Sequence, residues 1–190
     1  MINIREERAT DVVARETLLD EAYGAVRFAK VSERLREGRC PAKGLSLVAV
    51  ERGQIVGTIR FWHVTAGPGR PALLLGPLAV HPDHRNRGIG SALVCRALTR
   101  ARLGGYPAIL LVGDAGYYGR FGFTAAQTGA IWMPGSFERD RLLALELRPG
   151  SLTGARGLVG ATGKIEPKPD LNTLIAARSG TPPALVRRAA

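Results

Sequence analysis

Leu78-Ala-Val-His-Pro-Asp-His-Arg-Asn-Arg-Gly-Ile-Gly-Ser-Ala-Leu93 runs from the end of an aliphatic strand, through a basic glycine loop, into a helix. Successive amides in such a loop point into one concavity, and the positive end of the following helix adds to their pull on phosphate oxygens. Gly88 lets the backbone approach an anion, Gly90 lets the helix start close to the sheet, and Arg85 and Arg87 add charge at the mouth. Spelling excludes two commoner phosphate loops. There is no Gly-x-x-x-x-Gly-Lys-Ser/Thr, and the third glycine of the dinucleotide fingerprint is replaced by Leu93. Taken alone, Gly88-x-Gly90 is better read as a tight strand-to-helix turn than as an anion site.

Outward from the loop, Leu73 to Val80 reads as a strand in which Gly76-Pro77 forces a bulge or an unpaired gap, because proline removes a ladder donor. Ile89, Leu93 and Ala97 recur at helical spacing until Gly104-Gly105 ends the helix, and Ala108 to Val112 is a buried strand. Strand, crossover helix and strand make a βαβ unit, so these two strands run parallel. Upstream, Leu45–Glu51 and Ile55–Val64 form a hairpin about Arg52-Gly53-Gln54. Thr10-Asp11 caps a helix reaching Tyr23, and a second helix is expected over Phe28 to Glu37. Phe121 to Ala125 and Leu142 to Leu147 supply the last strands. The fold class is α/β with a mixed sheet.

The 190 residues suit one domain of about 150 with a remainder. The expected division is a domain over 1–150 and an extension over 151–190, made of a strand or two with turns and a loosely held amphipathic tail. Gly154, Gly157, Gly160 and Gly163 recur in a run too short and too poor in proline for collagen.

Net charge is +11, from 27 Lys and Arg against 16 Asp and Glu. Residues 1–50 hold nine basic and eight acidic side chains, residues 51–120 nine and three, so the excess surrounds the glycine loop. That field suits a polyphosphate coenzyme or RNA, but no aromatic-and-basic RNA motif is spelled out. Cys40 and Cys95 lie in no zinc spacing, so no metal is expected. Cys95 reads as helix core packing. The amino terminus lacks a secretory apolar block, and no apolar run approaches the roughly 20 residues of a membrane span. The cytoplasm is the expected location.

The quoted stretch resembles motif A of the GNAT superfamily of N-acetyltransferases, Gln/Arg-x-x-Gly-x-Gly/Ala after a strand ending in Val-x-Pro. Tyr117-Tyr-Gly-Arg-Phe-Gly-Phe123 resembles its motif B at the expected distance. The likeness spans roughly residues 2–150. It implies the acyl-CoA N-acyltransferase fold, a mostly antiparallel sheet in which the parallel fourth and fifth strands splay apart in a V, here residues 73–80 and 108–113.

The resemblance further implies acetyl-CoA as cosubstrate. Its pantetheine arm pairs with the main chain of Leu78, Ala79 and Val80, and its diphosphate lies on Arg85, Asn86, Arg87, Gly88, Ile89, Gly90 and Ser91, with Asp114 and Tyr117 nearby. A backbone amide near the bulge stabilises the oxyanion. Tyr118 matches the general-acid tyrosine, and a phenol of pKa about 10 stays protonated at neutral pH. His81 and Asp114 are candidate bases or supporting groups, and His63 faces solvent; the base is left unassigned.

The reaction implied is direct transfer in a ternary complex to a primary amine of a small molecule, peptide or protein, by a monomer or homodimer. Two other readings are a non-catalytic acyl-CoA-binding module and an acetyltransferase acting on aminoacyl-tRNA.

Overall fold

A computed structural model describes residues 1–167. One sheet is built in the order β1 (Asn3–Glu6), β2 (Ser46–Glu51), β3 (Gln54–Ala66), β4 (Pro71–Val80), β5 (Ala108–Val112) and β7 (Leu142–Glu146). Along this path only β4 and β5 run parallel. β6 (Ile131–Trp132) lies parallel to β8 (Gly157–Ala161), and β8 extends the edge of β3 at Val64–Ala66. Helix α1 (Val12–Tyr23) packs over β3 and β4, α2 (Ile89–Leu103) crosses between β4 and β5, and α3 (Ala115–Gly119) is a short turn after β5. No helix among the described residues is long and apolar enough to cross a membrane.

The β2–β3 hairpin closes on Arg52 and Gly53, both at positive φ (50° and 83°). That is the mirror-image turn whose twist matches the strands it joins. Along β3 and β4 the alternation divides two cores. Ile59, Phe61, Leu73 and Leu75 face α2, while Trp62, Val64, Ala72 and Leu74 face the opposite side with Leu110, Ile131 and Leu152. On α2 the buried stripe is Ile89, Leu93, Val94, Ala97, Leu98 and Ala101, the spacing of one helical face. Cys95 lies off that stripe and is exposed, which corrects its reading as core packing.

Two further expectations need correction. Instead of a helix over 28–37 there are 3-10 turns at Ala25–Ala29 and Glu33–Leu35, separated by an extended Lys30. Of Phe28, Val31 and Leu35 only Leu35 is buried, so no continuous apolar stripe holds one helix together. Phe121–Ala125 is no strand but a turn, with a single bridge between Thr124 and Ala144. Gly122 there has a φ of 90°, outside the strand region. In the 151–190 stretch, Leu152, Ala155 and Val159 are buried in the same core as Trp62. The expected amphipathic tail lies largely outside the described residues.

Asp11 precedes α1, but its carboxylate turns back, accepting the Arg8 N–H (2.7 Å) and two bonds from Arg5 (2.6 and 2.9 Å). Those bonds, Arg5 foremost, hold its pKa at about 2. A carboxyl below its unfolded value of about 4 stabilises the fold above that value, and loses the contribution as pH falls through the folded pKa. Asp11→Asn is expected to cost about 1–2 kcal/mol in urea unfolding at pH 7. The difference from the parent should shrink as pH is lowered from about 4 to about 2.

Candidate active site

After Val80 the chain makes one 3-10 turn at Pro82–His84, then runs through an extended Arg85 to Asn86 (φ 60°) and Gly88 (φ 76°), both left-handed. The first bond of α2 runs from the Ala92 N–H to the Gly88 carbonyl at 2.9 Å. The amides of Ile89, Gly90 and Ser91 therefore precede the intrahelical ladder and are left for an external acceptor. They open on a concavity of about 480 Å³, lined also by Val80, His84, Arg85, Asn86, Tyr117 and Arg120.

Two close approaches set this mouth. A Cβ on Gly57 of β3 would lie 3.0 Å from Leu93 and 3.1 Å from Ile89, so the first turn of α2 sits hard against the sheet. A Cβ on Gly90 would lie 2.7 Å from the Tyr117 hydroxyl. Tyr117 is fixed there by Asp114, whose carboxylate caps α3 by accepting the Tyr117 N–H at 2.6 Å. Arg120 stacks on the Tyr117 ring at 4.2 Å and brings a second cation to the concavity beside Arg85. Arg120 is not among the site residues expected from sequence, although it stands one helical turn after Tyr117, the spacing that lets two side chains meet.

Arg87 is directed elsewhere. Its guanidinium forms a two-point pair with Glu51 (2.7 and 2.9 Å), and this bonding draws the Glu51 carboxyl down to about 2. His84 approaches the same carboxylate at 3.2 Å.

The sheet opens beside the loop. β4 and β5 pair only at Leu73–Ile109 and Leu74–Leu110, whereas β4 stays paired with β3 as far as Val80. Where the splay begins, Gly76 and Pro77 together oppose Arg60 of β3. This one-residue bulge restores alternation, so that Leu78 and Val80 face the same core as Leu73 and Leu75. The Gly76 carbonyl accepts from the Trp62 indole at 2.5 Å, and the Leu78 carbonyl accepts from the Tyr23 hydroxyl.

Tyr118 closes the splay from the β5 side. A Cβ on Gly113 would fall 2.4 Å from its ring, so glycine is what lets the ring lie over the end of β5. The ring also packs on Phe123 (centroids 5.9 Å) and on Tyr117 (4.9 Å). Burial pushes the Tyr118 phenol well above its ordinary value, and the nearby Tyr23 and Tyr117 hydroxyls push it further. Its hydroxyl makes no hydrogen bond among the described residues.

None of the candidate bases faces this region. His81 caps the 3-10 turn, with Nε2 3.4 Å from Glu21; Asp114 caps α3; His63 packs on Tyr106 at 5.6 Å. Across the splay from Tyr118 lies a cavity of about 80 Å³ lined by Leu75 to Leu78, Val112, Tyr23, Lys30 and Arg36. Its charged residues come from the 3-10 turns after α1 and the residues that flank them, where the sequence carries no motif.

Comparison with known proteins agrees with this geometry. Residues 42–125 match the family model of the acetyltransferase (GNAT) domain. The N-acetyltransferase YhbS of Escherichia coli K12 is 29% identical over 157 residues, which cover 82% of this chain and 93% of YhbS. The crystal structure of Escherichia coli YhbS in complex with CoA superposes with a TM-score of 0.70 at 30% identity, over 84% of this chain and 89% of that one. A Brucella melitensis GNAT family acetyltransferase in complex with acetyl-CoA gives 0.57 at 30% identity, over 90% and 94% of the two chains. A basic glycine loop opening a helix, a sheet split beside it at a bulge and a tyrosine closing the split thus occur together in a chain that belongs to the GNAT family of N-acetyltransferases.

Proposed function

We propose that the protein transfers an acetyl group from acetyl-CoA directly to the primary amine of a small-molecule or peptide acceptor. The observation that carries this reading is the adjacency of two features. The unbonded amides of Ile89, Gly90 and Ser91 stand at one end of β4, and the split between β4 and β5 opens at its middle. The loop suits a diphosphate and the split suits an extended arm adding to β4. The complexes of the two relatives with CoA and acetyl-CoA support the assignment.

Acetyl-CoA supplies an activated acyl thioester, and its departing sulfur requires a proton. Tyr118 supplies that proton: it stands at the split, and its raised pKa keeps it protonated throughout the neutral range. Gly88 to Ser91 hold the diphosphate with Arg85 and Arg120, while Asp114 and Phe121 hold Tyr117 against the helix mouth. Among the described residues the single carboxylate lining the small cavity, Glu33, is ion-paired with Arg36 at 2.5 Å. The acceptor therefore enters as the neutral amine, its proton left to solvent.

Two measurements test this. Calorimetry is expected to show CoA and acetyl-CoA binding, and a thiol-release assay over an amine panel, with mass analysis of the product, is expected to find an acetylated acceptor. Coenzyme binding without thiol release on any amine would instead favour a non-catalytic binding module. In the pH profile, kcat/KM is expected to rise as the acceptor amine loses its proton and then to stay level to about pH 10. The sign follows from Tyr118: an acid with a raised pKa loses its catalytic proton later, so a descending limb between pH 8 and 9 would remove it as the donor.

A further inference from the structure

Of the three cations lining the small cavity beside the bulge, two are incompletely paired among the described residues. Arg27 is balanced by Glu16 (2.6 Å) and Asp20 (2.8 Å). Arg36 is not so well supplied. Its side chain is 6% exposed, and Glu33 takes only its Nη2. Nε is buried without a partner, and Nη1 makes no hydrogen bond among the described residues. Nη1 would lie 3.7 Å from a Cβ on Gly76, which places it over the bulge where the split begins. A buried guanidinium with donors to spare is costly unless something completes its bonding.

Lys30 stands at the mouth of the same cavity. Its ammonium lies 3.8 Å above the Tyr23 ring, and no carboxylate comes within 4.0 Å among the described residues. Burial, then Arg36 and Arg141, lower its pKa. Arg36 and Arg141 also act against a plain alkylammonium brought to the same place. A space of about 80 Å³ holds two or three waters, or one carboxylate or phosphate group.

Resting on the acetyl-transfer reading above, we propose that the acceptor bears an anionic group close to its amine, and that Arg36 and Lys30 dock this group beside the Gly76–Pro77 bulge. Arg36 offers directed donors in a dry setting and Lys30 a mobile counter-charge at the entrance. The anion offsets the repulsion that the ammonium form, predominant in solution, meets on approach, and fixes which face of the amine meets the split once its proton is lost. Carboxylate and phosphate share this chemistry.

The test uses the full chain saturated with CoA and matched compounds differing in charge: L-alanine against L-alaninamide and ethylamine, and O-phosphoethanolamine against ethanolamine. Calorimetry reads binding of each, and thiol release from acetyl-CoA reads turnover. The carboxylate- or phosphate-bearing member of at least one set is expected to bind about tenfold tighter or more than the counterpart that lacks this group. The alanine and phosphoethanolamine arms tell carboxylate from phosphate. In Lys30→Gln, an exposed substitution that leaves the core intact, the preference is expected to fall at least about threefold. Arg36→Gln should abolish it, with unfolding curves recorded for both variants. Equal binding within every set, no binding of any member, or an undiminished preference in Lys30→Gln overturns the proposal. In each of these cases intact CoA binding leaves the coenzyme assignment standing, whereas loss of CoA binding in the parent protein overturns that assignment instead.

Discussion

Gly90→Val is expected to raise the Kd for CoA by about a hundredfold or more, equivalent to about 2.7 kcal/mol, with the fold retained. The reason is crowding on both sides of one atom. The Gly90 amide is among the unbonded donors at the mouth of α2, so a diphosphate gripped there comes close to its Cα. On the protein side the Tyr117 hydroxyl would stand 2.7 Å from a new Cβ, and the next contacts would be Val80 at 3.6 Å and the Tyr117 ring at 3.8 Å. Tyr117 has little freedom to yield, since Phe121, Tyr118 and Arg120 surround its ring. A branched side chain must therefore displace Tyr117 or fill the cradle, and either loses the coenzyme. A smaller pair separates the two causes. Gly90→Ala should weaken binding about tenfold, and adding Tyr117→Phe, which deletes the clashing oxygen, should restore part of that loss. Calorimetry with CoA reads all three variants; wild-type affinity in Gly90→Val would remove the loop from the binding site.

Tyr118→Phe is expected to lower kcat by about a hundredfold to a thousandfold while the Kd for acetyl-CoA changes less than about threefold. The separation follows from where the hydroxyl stands. The ring packs on Phe123 and Tyr117 and over Gly113, and phenylalanine keeps those contacts. The hydroxyl has no hydrogen-bond partner among the described residues, so removing it strands no buried group and stability should stay within about 0.5 kcal/mol. What is lost is the proton for the departing sulfur. The defect should be smaller for thioesters whose thiols are more acidic, because such sulfurs leave without help. Full activity in Tyr118→Phe would overturn the assignment, and Tyr23, whose hydroxyl shares the same split, would be the next residue to test.

Both residues are legible in the amino-acid sequence, for different reasons. Gly90 is marked by its place in a strand-loop-helix pattern, where the chemistry belongs to the main chain and the glycines reveal it. Tyr118 is marked through the motif resemblance. Arg87 shows the limit of such reading: counted as charge at the loop mouth, it is held by Glu51, a residue 36 positions earlier. The helix expected over 28–37 does not form because its apolar residues suggest a stripe that the fold does not bury.

The local pattern of this chain determined the hairpin at Arg52-Gly53, the βαβ unit, the bulge at Gly76-Pro77 and the left-handed glycine loop that opens α2, because each depends on backbone geometry that only certain residues permit. Tertiary structure alone decided what Tyr23, Lys30 and Arg36 do. Their positions follow from how α1 and the irregular turns after it settle on β4, and contacts between residues some 40 to 55 positions apart, such as Tyr23 with Leu78 and Arg36 with Gly76, have no local spacing to announce them. The same holds for Arg87 and Glu51. An ion pair or a cavity wall is made by whichever side chains the packed sheet brings together, and that meeting is a property of the whole fold.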